Sequence, residues 1–193
     1  MENNISIDHK DFKKNYNLKE HQLIILKFNS DFVDPVNSFM KISDDMENSF
    51  LFESLKDGDL SGRYSVIGIK PDKILKITNK TSKIYIDNNN NVEEVINDNP
   101  IEAIRYFINS SLIKKNDDIP SIASGIFGYI GYDFVANIED LPKEKFDEFD
   151  IPDSILLRPS ITVVFDKELK EILICKAVWY DDSVDADNAY NFA

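Results

Sequence analysis

The alternation of apolar and polar positions along the chain predicts a protein built mostly of short strands. The apolar run LIILKF, residues 23–28, indicates a buried strand, and ITVVF within residues 160–165 alternates as a half-buried strand does. Further strand candidates are rich in β-branched or aromatic residues and are bounded by turn residues. They are residues 50–55, 64–69, 73–77, 82–87 and 171–179. The spacing of the four strands between residues 50 and 87 favours an antiparallel meander over βαβ units.

Two segments carry the signals that begin a helix. Asp34 precedes Pro35 and Asn99 precedes Pro100. An Asp or Asn side chain accepts a free backbone N–H at a helix start, where proline has no N–H to lose. In the second helix four apolar residues share one stripe, with Phe107 beside it. They are Ile101, Ile104, Ile108 and Leu112.

The ends of the chain are less apolar than its middle. Residues 1–22 are expected to be a loosely ordered start with one short helix, and residues 181–193 resemble a helix cap followed by a first turn. We therefore expect one α+β domain over residues 1–193, with mostly antiparallel β-sheets and helices packed on them.

Gly125, Gly128 and Gly131 form a GxxGxxG pattern in a strand-like context. No Gly-Lys-Ser/Thr follows, as a P-loop requires, and the spacing is not the GxGxxG that opens a helix in dinucleotide-binding folds. Glycines inside strands permit bulges and close backbone contact. The pattern is therefore interpreted as structural.

Composition and charge exclude several classes of protein. The apolar fraction is 42% and the formal net charge is −13, so a buried core is expected and nucleic acid is not expected as a partner. No apolar run approaches the roughly 18 residues that span a membrane, and the start has no apolar signal-peptide core. A cytoplasmic protein is expected. The acidic runs at residues 147–150 and 181–187 lack the calcium-loop spacing and are interpreted as solvated surface.

The residues that most often carry chemistry form no recognisable catalytic or metal site. Cys175 lies in an apolar run and is expected to be a buried structural thiol. His9 and His21 have no metal-ligand spacing around them and are interpreted as surface histidines.

Three segments carry a family resemblance. LFES followed by GRYSVIG, residues 51–68, resembles the LLES…GRYSFIG signature near the amino end of anthranilate synthase component I. GIFGYIGYDFVANIEDLP and IPDSILLRPSITVVFDKELKEILI are similar, in the same order, to later segments of that family. Phe52 stands where the family usually has Leu, and Ala136-Asn137 stands where it tends to have a basic residue.

The resemblance implies the amino-terminal domain of the chorismate-using subunit. In that family the intact enzyme is a carbon–oxygen lyase of tryptophan synthesis. It adds ammonia to chorismate, which loses its hydroxyl group, and then eliminates pyruvate to give anthranilate. Ammonia comes from a partner, the glutamine amidotransferase component II, and Mg²⁺ and chorismate are bound by a carboxy-terminal domain. We expect the present sequence to be truncated before that domain. It is therefore expected to carry no catalytic residue and no metal ligand, and to be inactive alone.

The resemblance also implies a feedback-inhibitor site for L-tryptophan at Glu53 and Ser54. The residue types agree, because a carboxylate among apolar neighbours needs a partner such as an ammonium group, and a hydroxyl can bind the polar end of an amino acid. Alternation along the strand places Glu53 with Leu51 and Leu55, which could wall an indole. Arg63 could hold a carboxylate or instead pair with an acidic residue. Tyr64 is included in the site, although it and the following serine also suit a sheet.

Two alternatives stay open at this point. The related 4-amino-4-deoxychorismate synthase component I of the folate pathway shares this architecture and a tryptophan pocket. A stand-alone amino-acid-binding module without any enzyme would also carry these residues.

Overall fold

The computed structural model describes residues 6–29, 33–43, 46–54, 62–86, 91–97, 99–114, 119–139 and 151–193. Within them the chain has the expected α+β fold with antiparallel strands. The helices are α1 His9–Asn17, α2 Pro35–Ile42, α3 Pro100–Asn109 and α4 Ala186–Asn191. The strands are β1 Gln22–Asn29, β2 Phe50–Glu53, β3 Tyr64–Thr78, β4 Thr81–Ile86, β5 Asn91–Asn97, β6 Phe127–Ile130, β7 Ser154–Asp166 and β8 Glu171–Val178.

The chain divides into two compact units. Unit 1 is formed by Met1–Lys70, Leu112–Gly125 and Pro159–Ala193, and unit 2 by Pro71–Ser111 and Ile126–Arg158. Strands β3 and β7 each contribute residues to both units.

In unit 1, β1, β8, β7 and β3 are hydrogen-bonded neighbours in that order, and β2 pairs with β3. Two apolar clusters cover these strands. One joins Ile67 of β3 to Val163 and Phe165 of β7 and receives Phe39 of α2 at its margin. The other packs α1 against α4 and β8, and its Phe12 is fully buried. Cys175 on β8 is 1% exposed, which confirms the expected buried thiol.

In unit 2, β3, β4 and β5 are neighbours in that order, β6 pairs with β7, and α3 packs on the cluster they form. The face that α3 buries differs from the predicted stripe. Ala103 and Phe107 are fully buried, whereas Ile108 and Leu112 are 44% and 63% exposed. The prediction is confirmed for Ile101 and Ile104, which pack half-buried against the cluster, and was wrong for Ile108 and Leu112, because the buried face is centred on Ala103 and Phe107 and α3 ends at Asn109.

The helix-start signals are confirmed. An Asp34 carboxylate oxygen accepts the N–H of Asn37 at 2.7 Å, and the Asn99 side-chain oxygen accepts that of Glu102 at 3.1 Å. In the polar start, α1 has its own cap at Asp8, and α4 begins after Asp185 as the sequence suggested.

The two strands predicted at residues 64–69 and 73–77 are one continuous strand, β3. Pro71, which has no N–H to donate to a ladder, lies between the two predicted segments. Lys70 takes a positive φ of 49°, and the strand, which pairs with β2 over Ser65–Gly68, pairs with β4 from Lys73.

Gly128 shows why a glycine lies inside β6. Its φ is +152°, and an added Cβ would lie 1.9 Å from the carbonyl oxygen of Ile155 on β7. Only a residue without a side chain permits this approach, which confirms the structural interpretation at this position.

Candidate functional site

The register of β2 against β3 positions the predicted site residues. Glu53 pairs with Ser65, and Leu51 pairs with Ile67, so these four side chains share one face of the ladder. Ser54 directly follows Glu53, the last paired residue of β2. Glu53 and Ser54 can reach one small ligand only where β2 ends, because successive strand residues point to opposite faces. Leu55 lies outside the described residues.

The ladder face that carries Glu53 is apolar at Leu51 and Ile67 and exposed at Glu53 itself. Ile67 is fully buried and Leu51 packs against its cluster, whereas Glu53 is exposed. Ser65, directly opposite Glu53, is fully buried, and among the described residues its hydroxyl has no hydrogen-bond partner. Leaving a buried hydroxyl unpaired costs about 1–3 kcal/mol. The Glu53 carboxylate remains accessible to a ligand.

Ser54 is held in place by two hydrogen bonds that each join a side chain to a main-chain carbonyl. Its hydroxyl donates to the carbonyl oxygen of Tyr64 at 2.5 Å, and its own carbonyl oxygen accepts from the ammonium group of Lys167 at 2.8 Å. The first bond ties the end of β2 to the start of β3. The second brings the β7–β8 turn to the same point, so Ser54 lies where three segments meet.

Arg63 is paired with acidic residues, the second of the two roles that its position suggested. Its Nε and Nη2 donate to the carboxylate of Asp166 at 2.7–3.1 Å, and Nη1 lies 3.2 Å from Glu168. The guanidinium also lies 4.9 Å from the centre of the Tyr64 ring, a cation–π distance. These contacts occupy the guanidinium N–H groups that could otherwise bind a ligand carboxylate.

Asp166 is the buried anchor of this cluster, with only 4% of its surface exposed. Burial alone would raise its pKa, but hydrogen bonds from Arg63 and from the backbone N–H groups of Leu169 and Glu168 outweigh it and lower the pKa. The charged form of Asp166 therefore stabilises the fold.

The lowered pKa predicts a pH-dependent stability. Asp166 contributes stability above its unfolded pKa of about 3.9 and loses it as pH falls through the lower folded pKa. Asp166→Asn is expected to lower the free energy of unfolding by about 2 kcal/mol at pH 7, as for hydrogen bonds to a charged group. The difference from the wild type should shrink below about pH 4, measured by urea unfolding at stepped pH. Glu168→Gln is the matched exposed control, and a pH-independent difference would contradict the prediction.

Asp166 and Lys167 were not found by sequence reasoning. Both belong to FDKELK, which indicates a hairpin turn between β7 and β8 and nothing more. The turn lies more than 100 residues from Arg63 and Ser54 in the chain. No local sequence pattern indicates that this turn contacts Arg63 and Ser54.

The two histidines differ in their exposure and in their partners. His9 is exposed and lies 2.9 Å from Asp187, as a surface histidine can. His21 is half-buried, and its Nδ1 accepts the N–H of Tyr180 at 2.9 Å, so the surface interpretation was incomplete there. Within the described part of the chain, no group of three or more His, Cys, Asp or Glu side chains could hold a metal ion.

No described helix is long and apolar enough to cross a membrane.

A cavity of about 410 Å³ lies beside α1 and the start of β1 in unit 1. Its lining mixes both charges, with Asp11, Lys14, Glu20 and Lys114 among the lining residues. It contains none of the four residues predicted to bind an effector.

The described residues form an α+β domain of mostly antiparallel strands, with a polar cluster at the end of β2. In fold, the chain is similar to anthranilate synthase component I from Streptococcus pneumoniae TIGR4, with a TM-score of 0.52 at 16% identity over 86% of this chain and 35% of the other. In sequence, it is 31% identical over 93% of its length to anthranilate synthase component 1 of Cereibacter sphaeroides. It is 30% identical over 76% of its length to that of Thermus thermophilus. No family model matches the chain.

The chain belongs to the anthranilate synthase component 1 family and corresponds to its amino-terminal part. It spans about a third of the length of these curated relatives, 36% of the first and 30% of the second. The expected family is thereby confirmed.

Proposed function

We propose that this chain is the tryptophan-sensing, amino-terminal part of an anthranilate synthase component I. The intact subunit would convert chorismate and ammonia to anthranilate and pyruvate. The observation that carries the proposal is the match of 93% of this chain to a relative named anthranilate synthase component 1. The ordered polar cluster around Ser54 supports a binding role at the predicted residues.

Within this proposal the residues at the end of β2 hold the effector. Glu53, exposed beside an apolar face, pairs with the ammonium group of tryptophan. Phe52, two residues before Ser54, is exposed, and its ring is 4.9 Å from that of Phe50. These two rings offer an apolar wall for the indole. Arg63 acts indirectly, because its pairing with Asp166 fixes the start of β3 next to Tyr64.

The chemistry itself would be done by the remainder of the subunit. Mg²⁺, which would stabilise negative charge on chorismate, does not fit the described residues, since they form no acidic cluster of the necessary size. The proposal therefore assigns Mg²⁺ and chorismate to the carboxy-terminal domain, and ammonia to a glutamine amidotransferase component II that acts as partner.

The test is an assay with chorismate, ammonium and Mg²⁺, followed by anthranilate fluorescence. The intact subunit is expected to form anthranilate and to be inhibited by L-tryptophan, whereas the 193-residue chain alone should form none. Anthranilate made by the chain alone would contradict the assignment of the chemistry.

The same assay separates the two alternatives. Accumulation of 4-amino-4-deoxychorismate without pyruvate would identify the folate-pathway enzyme. Tryptophan binding by the isolated chain, with no activity in any longer product of the gene, would identify a stand-alone module.

A further inference from the structure

We infer that Lys167 supplies the positive charge that recognises the carboxylate of the amino-acid effector; this rests on the function proposed above. Lys167 lies in the turn between β7 and β8, and its side chain is exposed. Its backbone N–H donates to the carbonyl oxygen of Arg63 at 3.0 Å, and its ammonium group lies 2.8 Å from the carbonyl oxygen of Ser54. The residue is thus fixed against the start of β3 and the end of β2 together.

Arg63 is poorly suited to this task despite its guanidinium. Two carboxylates, those of Asp166 and Glu168, already contact it. With one positive and two negative charges in contact, the local charge is net negative. A third carboxylate brought to Arg63 would be repelled.

Lys167 offers the opposite situation. An ammonium group has three N–H donors. Within the described part of the chain, the Lys167 ammonium group donates to a neutral acceptor, the carbonyl oxygen of Ser54. That contact orients the ammonium without neutralising it. Its charge and two of its donors remain for a ligand at the end of β2.

The position of Lys167 complements that of Glu53. Glu53 precedes Ser54 and presents a negative charge, while Lys167 presents a positive charge at the Ser54 carbonyl. A zwitterionic α-amino acid matches both, with its ammonium toward Glu53 and its carboxylate toward Lys167. An amine or amide lacking the carboxylate matches only Glu53. The pair therefore selects amino acids over their decarboxylated or amidated forms.

The test compares L-tryptophan with L-tryptophanamide, which keeps the ammonium and loses the carboxylate. Binding to the intact subunit is measured by calorimetry for the wild type and for Lys167→Met, Lys167→Arg and Lys170→Met. Lys167→Met is expected to weaken tryptophan binding about 10-fold, as for a lost charge-assisted hydrogen bond, and to leave tryptophanamide binding unchanged. Lys167→Arg should stay within about 3-fold of the wild type, because it keeps the charge. Lys170→Met, in the same turn, is the matched control and should change neither ligand.

The outcomes distinguish this inference from the function on which it rests. Equal weakening of both ligands by Lys167→Met would show that Lys167 only positions Ser54, and would overturn the carboxylate contact. Unchanged tryptophan binding in Lys167→Met would overturn it too. A wild-type subunit that binds no tryptophan would overturn the proposed function and, with it, the inference.

Discussion

Asp72→Ala is expected to lower the free energy of unfolding by about 3 kcal/mol, because it removes the carboxylate that binds the buried guanidinium of Arg158 through two hydrogen bonds. Arg158, on β7 in unit 2, has a side chain that is 6% exposed, and its Nε donates to an Asp72 carboxylate oxygen at 2.8 Å. Its Nη2 donates to the other oxygen, and Nη1 donates to the carbonyl of Ser110 at 3.2 Å. The Asp72 side chain is 23% exposed, so water can partly replace its carboxylate in the variant. The expected loss of unfolding free energy is therefore at the lower end of the range for a broken buried ion pair. Urea unfolding followed by circular dichroism measures the change.

The exposed pair of Arg105 and Glu102 on α3 provides the matched control. Its side chains are 67% and 55% exposed, and the two atoms lie 2.8 Å apart. Glu102→Ala should cost no more than about 0.5 kcal/mol. In the double variant Asp72→Ala/Arg158→Met, the loss should be smaller than the sum of the two single losses, since each single variant already removes the interaction between the two side chains. Strictly additive losses would contradict this account of the pair.

The parts of the fold that could be predicted are those with a local physical cause. Asp34 and Asn99 predict helix starts because the side chain of each accepts the backbone N–H of the residue three positions later, in the first turn. The β7–β8 hairpin follows from its alternating strand and short turn. Strand β5 was missed because NVEEVIN is rich in acids, and the segment of β6 was described only as strand-like because FGYI contains a glycine, so neither has a strong strand pattern by itself. Pairing with β4 and β7 decides their conformation, and pairing is not local.

The candidate site divides in the same way. Glu53 and Ser54 were identified because a short motif resembles a known family, and their strand and register follow from neighbouring residues. The contacts that fix them come from Asp166 and Lys167, which reach the site only through the order of β7 and β3 in unit 1. A sequence suggests which groups can bind a ligand. The fold decides which of them, such as Arg63, are already paired.

Ser54→Phe in the intact subunit is expected to weaken inhibition by L-tryptophan about 100-fold, a loss of about 2.8 kcal/mol in binding, while turnover of chorismate survives. Ser54 is half-buried at the end of β2, and its hydroxyl is bonded to the Tyr64 carbonyl. A phenyl ring there removes that bond and fills the space beside Phe52 that the proposed indole needs. The measurement is the tryptophan concentration that halves anthranilate formation, together with kcat in its absence.

Ser49→Phe is the matched control at the other end of the same strand. Ser49 is also half-buried, and its hydroxyl also donates to a main-chain carbonyl, that of Met46, at 2.9 Å. A general disturbance of β2 would affect both variants alike, whereas a site at the end of β2 makes only Ser54→Phe resistant to tryptophan. Unchanged inhibition in Ser54→Phe would remove Ser54 from the site. Equal resistance in both variants would show that the inhibitor depends on the integrity of β2 and not on contacts at its end.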